Sequence, residues 1–444
     1  MSKHFRPWKI DETQLLPAAV QDYVAKDHLA RFVVSLVRES LDLSRIVASY
    51  ASSLGQPPFH AVMMVALLLY AYSVGLYSSR RIAKACRERV DFMLIVANDA
   101  PDFRTISDFR KRHLQALAGL FVQVLQLCER AGLVKLGHVA LDGTKIAANA
   151  SKHKAMSYAG MKKREAELQA EVAGWLDAAE AADAEEDRLC GRDKRGDELP
   201  DWVADKAKRL AKIRQAKAAL EAEAKAAAEA KAKVEREAEE KRKIEDRKKP
   251  GKKTPPPSEQ PAPKAQRNFT DPDSRILKTK DGFIQGYNAQ AAVDGEAQVI
   301  VAHGLTPGMS DQGQLVALVD GIEQNLARKP KEASADAGYL SEANLAALRH
   351  RRIDAYVATG RAKHPAATKR SIAGPLTQAM RSKLRRAGWR SRYRLRKQIV
   401  EPVFGQIKQA RGFRQFLLRG VEKVRAEWAM ICTAHNLLKL AKAA

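Results

Sequence analysis

Along the first 130 or so positions, apolar residues recur at helical spacing or fill every side of a helix. Val24 to Val37 has the first pattern, and His60 to Leu76 the second, which predicts a buried core helix. The longest apolar run, Ala61 to Leu76, is interrupted by Ser73 and Gly75 and falls short of the ~20 residues that span a bilayer. Ser78 and Ser79 are placed to cap a helix over Arg80 to Glu88, and Thr105 with Asp108 resembles a capping box opening the next helix. Arg80, Arg81, Arg104, Arg110, Lys111 and Arg112 cluster near these starts, which suits either phosphate contact or a solvated face.

From Gly137 the period changes. GHVALDG reads as a short strand ending at Asp142. Later, YNAQAAVDGEAQVIVAHGLT holds two β-rich runs either side of Asp294-Gly295, a hairpin dipeptide. A helix over Gln312 to Leu326 follows, then KEASADAGY as a strand carrying Asp336, a helix over Ser341 to His350, the strand DAYVATG, and a final helical region. Strands alternating with helices predict a mixed α/β sheet, not a sandwich.

Between these strands lies a charged helical tract, about Met161 to Arg247, with 21 Lys+Arg against 23 Asp+Glu. Val203, Leu210, Ile213, Leu220 and Val234 fall on a loose heptad frame, which predicts a helical hairpin turning at Gly191 to Pro200. KKPGKKTPPPSEQPAPKAQ then reads as a linker. The boundaries are therefore 1–132 for a helical N-terminal domain, 133–160 with 270–444 for an α/β domain, and 161–269 for the insertion with its linker.

Charge narrows the function. The 444 residues carry 78 Lys+Arg and 52 Asp+Glu, a net charge of +26, and a field of that size draws polyanions such as nucleic acid. The insertion is near neutral, so it is not the electrostatic footprint and suits a structural or dimer-contact role. From Arg361 to Gly420 there are 17 Lys+Arg and a single acid, Glu401. On a helical wheel Ile399, Val400, Val403, Phe404 and Ile407 fill one arc, while Arg394, Lys397, Glu401 and Lys408 lie opposite. Pro402 implies that the helix kinks or begins there, and the apolar arc continuing through it favours the kink.

Other classes drop out. Cys86, Cys128, Cys190 and Cys432 stand singly, which excludes a zinc ribbon or disulfide scaffold and fits a reducing cytoplasm. No phosphate-binding glycine loop is present, so nucleotide-driven chemistry has no support. Two strand-end aspartates and a helix-borne glutamate in a basic α/β protein suggest phosphodiester chemistry at a two-metal site. Singly, each aspartate is more often a turn or cap residue.

The surrounding text adds a resemblance. LDGTKIAANAS at Asp142, SADAGYLSE at Asp336 and VEPVFGQIKQARGFRQF at Glu401 closely resemble bacterial insertion-sequence transposases of the DDE class. PDFRTISDFRKRHL is similar to their InsH-type N-terminal domain, and GDELP at 196–200 to the helical insertion of one branch. The resemblance covers nearly the whole chain. It implies an RNase H-like catalytic core, with Asp142, Asp336 and Glu401 as catalytic, metal-binding residues for two Mg²⁺ ions that Mn²⁺ can replace. In the family's signature a lysine follows the glutamate after six residues, where Lys408 stands. An arginine is frequent four residues before the glutamate and a tyrosine three before that; Lys397 and Arg394 stand there, with Tyr393 one step off. Lys408, Tyr393, Arg394, Lys397, Arg411 and Arg110 are the candidate DNA contacts. Partners expected by analogy are the element's ends, target DNA and a second copy of the chain, with no membrane and no nucleotide.

Of the remaining residues, Asp311 reads as a helix cap, His138 and His303 as packing residues, and Tyr287 with Asn288 as a strand entering the core or, less so, a DNA-facing pair. The alternatives to a transposase are an RNase H-like nuclease without joining activity and a catalytically silent DNA-binding derivative.

Overall fold

A computed structural model describes residues 19–50, 57–190, 201–244, 258–279, 282–360 and 374–444. The N-terminal region is helical: α1 (Leu29–Glu39), α2 (Ser44–Val47), α3 (Ala61–Ser73), α4 (Ser79–Glu88), α5 (Val90–Val96), α6 (Phe103–Arg112) and α7 (Leu114–Arg130). Eleven residues of α3 are buried, as its all-round apolar pattern predicts. Two capping readings need correction. Ser78 occupies the N-cap of α4 but its side chain makes no capping bond. The cap of α6 is Asp102, whose carboxylate accepts from Arg104 N at 2.6 Å and Thr105 N at 3.0 Å, and the helix breaks at His113 before α7.

Next come β1 (His138–Ala147), β2 (Ala155–Ser157), the insertion helices α8 (Tyr158–Cys190) and α9 (Asp201–Ile244), and β3 (Gln266–Asn268). β2 and β3 pair antiparallel and close the base of the insertion. Met161, Leu168, Ile213 and Leu220 join its two arms in a small core of their own. The predicted turn at 191–200 lies outside the described residues, as does most of the predicted linker. The linker's end is docked: Pro261 is buried, and Tyr158 N donates to Ala265 O at 2.7 Å.

The remaining elements are β4 (Arg275–Thr279), β5 (Gly282–Asp294), β6 (Ile300–Thr306), α10 (Leu315–Leu326), β7 (Glu332–Ala335), α11 (Glu342–His350), β8 (Asp354–Val357), α12 (Pro375–Ala387), α13 (Leu395–Gly405) and α14 (Val421–Ala441). The sheet runs β6-β5-β1-β7-β8; the first three strands are antiparallel and the last two join β1 in parallel, while β4 also pairs with β5. β1 runs five residues past Asp142 rather than ending there, so that aspartate sits mid-strand. Every residue of β5 from Gln285 to Asp294 is buried, so helices cover both faces at that strand. Asp294 opens the predicted hairpin turn by accepting from Glu296 N at 3.0 Å and also receives Leu136 N at 2.7 Å.

The N-terminal helices keep no separate core. α3 and α7 pack on α14, and one continuous apolar cluster runs from Ala30 through the sheet to Leu440. Among the described residues no helix is long and apolar enough to cross a membrane.

Candidate active site

Three elements converge at the middle of β1. Val139, Ala140 and Leu141 are fully buried and anchor the strand, leaving Asp142 half-buried at the point where it emerges. β7 lies beside it in parallel with Leu141 opposite Ala335, so Asp336 follows one residue beyond, level with Asp142. The Asp336 carboxylate caps a short 3₁₀ turn, accepting from Gly338 N at 2.8 Å. α13 packs over β1, burying Ile399, Val400, Val403 and Phe404 as the wheel predicts and leaving Glu401 exposed.

Pro402 neither starts nor stops this helix. It lies inside α13, which continues into a π turn at Gln406–Ala410. The missing proline N–H leaves the Gln398 carbonyl four residues back without its helical donor. Gln298 Nε2 supplies one at 2.9 Å.

The charges at the site are coupled through a residue that spacing alone overlooked. Arg396 Nη1 donates to Asp142 Oδ2 at 2.6 Å and Nη2 to Glu401 Oε1 at 3.2 Å, with the guanidinium 6.0 Å from the Tyr393 ring centroid. Its Nε is buried without an acceptor. Burial pushes the Asp142 carboxyl up to about 6; Arg396 opposes the rise, and the negative charges of Asp336 and Glu401 add to it. Tyr393 and Arg396 preserve the tyrosine-to-arginine interval of three residues, displaced together by one position relative to Glu401. That interval was the signal available in the sequence.

Beneath the strand lies a polar layer. Asp311 Oδ1 accepts from Asn288 Nδ2 at 2.7 Å and from Gln290 Nε2 at 2.6 Å. Tyr339 donates to Gln290 Oε1, and Trp428 Nε1 to the Gln290 carbonyl at 3.0 Å. Asp311 precedes a 3₁₀ turn but makes no side-chain capping bond, so the cap reading is corrected. A Cβ at Gly143 would fall 2.5 Å from Gln290 Nε2 and 2.8 Å from Asp311 Oδ1, so the strand approaches this layer only as glycine. Asn288 turns to Asp311, whereas Tyr287 is buried and donates to Asp271 at 2.9 Å.

The candidate DNA contacts divide. Arg394 and Lys397 are exposed and Tyr393 half-buried beside Arg396. Lys408 is half-buried and donates to the Lys145 carbonyl at 2.7 Å, tying the turn after α13 to β1. Arg411 is turned inward to His435 Nδ1 at 3.1 Å, and burial holds its pKa down. Arg110 is 6% exposed and donates to Tyr72 Oη, Tyr77 O and Ser79 Oγ at 3.0–3.3 Å. Arg110 is thus corrected to an internal tie, because its buried guanidinium reaches no surface where phosphate would lie, while Arg411 is partly buried and held by His435. The two histidines pack as expected: His138 Nδ1 meets Glu332 at 2.8 Å, and His303 stacks edge-on to Phe121, with burial lowering its pKa to about 4.

The oxygen donors of Asp142, Asp336 and Glu401 suit a hard divalent ion in kind. Their placement does not yet: among the described residues no group of three or more His, Cys, Asp or Glu is arranged to hold a metal ion. The Arg396 guanidinium stands between two of the three.

No curated protein and no solved structure matches the chain. Two family models do: a transposase domain (DUF772) over residues 18–112 and a transposase DDE domain over residues 258–437. The second contains Asp336 and Glu401, while Asp142 lies between the two matched segments. Together they span more than half of the chain, and it belongs to the insertion-sequence DDE transposases, enzymes of the nucleotidyl-transfer type that act on DNA.

Proposed function

We propose that this transposase binds the ends of its own element, cleaves them, and joins the freed 3′-hydroxyls to target DNA at Asp142, Asp336 and Glu401 within an RNase H-like core. The observation that carries the reading is the approach of three acids from separate elements to the same end of β7 and the middle of β1. A central strand, the end of its parallel neighbour and a helix packed over both place carboxylates close enough for Asp336 and Glu401 to raise the Asp142 pKa. The strand order, three antiparallel strands followed by two parallel ones, supports the fold.

Mg²⁺, as two ions with Mn²⁺ as a substitute, would supply the charge that activates the attacking oxygen and stabilises the leaving one. Asp142, Asp336 and Glu401 are the residues to hold it. Arg394 and Lys397, exposed beside the site, hold the DNA backbone, with Tyr393 flanking them. Lys408 acts by fixing α13 against β1. Strand transfer exchanges one phosphodiester for another, so no nucleotide is consumed. Two ends must be brought together, which calls for two copies of the chain.

The test uses wild type and Asp336→Asn with Mg²⁺ or Mn²⁺ and a plasmid carrying DNA from both flanks of the protein's own gene, with breaks and joints mapped by sequencing. Cleavage and joining that vanish in the variant are expected. Cleavage without joining would instead establish a nuclease, and binding without cleavage in either form a silent derivative.

A further inference from the structure

We propose that Arg396 is a resident counter-cation which a divalent ion must displace, so that metal binding and DNA binding are coupled through one side chain. The inference rests on the reading of Asp142 and Glu401 as metal ligands.

Arg396 engages Asp142 Oδ2 with Nη1 and Glu401 Oε1 with Nη2, one oxygen on each carboxylate. Charge-assisted bonds of this kind are about twice as strong as neutral ones, and a divalent ion needs the same oxygens. The guanidinium therefore competes with the ion directly. With the guanidinium bridging Asp142 and Glu401, no group of acids among the described residues is arranged to hold a metal ion.

Arg396 is not locked in this seat. Its Nε is buried with no acceptor, so the donor set is incompletely satisfied, and such an orphan opposes the placement. It is the second residue of α13, directly after the short 3₁₀ turn Arg392–Arg394. Turned inward now, from that position the long side chain has the reach to swing to the surface where Arg394 and Lys397 are exposed. A planar fork that fits carboxylates fits phosphate equally well. DNA arriving beside α13 draws the guanidinium onto its backbone and frees Asp142 and Glu401. Reciprocity then requires the ion to tighten DNA binding by the same factor.

The experiment measures Mn²⁺ binding by electron paramagnetic resonance on the full chain, first with Mn²⁺ alone and then with a short duplex from either flank of the gene. Arg396→Ala should bind Mn²⁺ about tenfold more tightly than wild type without DNA, with Arg396→Lys between them. The duplex should tighten Mn²⁺ binding in wild type and add little in Arg396→Ala. A merely structural role predicts the opposite sign, since damage to the site loosens the ion. Unchanged or weaker binding in Arg396→Ala, with Asp142→Asn losing the ion, overturns the proposal and leaves the metal-ligand reading standing. Binding that Asp142→Asn does not weaken overturns both.

Discussion

Glu427 lies fully buried on α14, where its carboxylate accepts from Leu417 N at 3.1 Å and Leu418 N at 3.0 Å. Burial pushes its pKa from 4.5 up to about 7; the two backbone donors and the Arg110 charge resist without winning. A carboxyl with a raised folded-state pKa weakens folding as pH climbs. The loss begins near 4.5, where the unfolded chain releases its proton, and is complete above about 7, where the folded chain does too. At about 1.4 kcal/mol per tenfold change in proton affinity, the span amounts to about 3 kcal/mol. Glu427→Gln keeps the shape and one acceptor oxygen but cannot ionise. Urea unfolding at intervals from pH 5 to 8.5 should therefore show the variant gaining on wild type by about 2–3 kcal/mol across that range. Other groups, including His303, whose lowered pKa acts in the opposite direction, contribute equally to both proteins and cancel in the difference. Parallel stability curves for the two proteins would refute the reasoning, because they would mean that Glu427 ionises at its ordinary pH.

Further outcomes follow from single contacts. Arg110→Ala should lower stability by about 2–4 kcal/mol by stranding buried acceptors, while element-end binding per folded molecule stays unchanged; calorimetry and a binding titration separate the two. Gly143→Ala should reduce DNA cleavage at least tenfold, since the new methyl displaces Gln290 and Asp311, and a cleavage assay with undiminished rate would show that this layer does not support the site. Joining Ser157 to Gln266 by a short turn removes α8 and α9 but spares β2 and β3, and because the insertion packs its own small core the product should remain soluble with a cooperative melt.

Much of this fold was legible because its signals are local. All-round apolarity marked α3, the Asp294-Gly295 dipeptide marked the hairpin, and alternation of strands with helices marked the mixed sheet. The errors arose where a local rule met a tertiary partner. β1 continues past Asp142 because β5 offers a pairing partner as far as Gly286, which no window around Asp142 contains. Asp311 precedes a turn, as a cap does, but two amides from β5 capture its carboxylate. Arg110 and Arg411 looked like surface cations because arginine usually is one. Arg110 is instead buried and Arg411 partly so, each held by hydroxyl, carbonyl or imidazole groups distant in the sequence.

The hardest residue to read was Arg396, for a geometric reason. Four residues on a helix turn through about 400°, so Lys397 shares the face of Glu401, whereas Arg396, five residues away, points about 140° aside. A search for a partner of Glu401 along the helix surface therefore selects Lys397. The second anchor, Asp142, lies below the helix on β1, and only a side chain leaving α13 at an angle bridges the two. The two cations should consequently differ in kind. Lys397→Ala should lower the slope of log affinity for DNA against log salt by about one, as for a lost phosphate contact, and leave Mn²⁺ affinity untouched. Arg396→Ala should move the Mn²⁺ affinity. If Lys397→Ala also moved it, the division between a backbone contact and a carboxylate bridge would fail, and with it the assignment of the interval Tyr393 to Arg396 as the displaced signature.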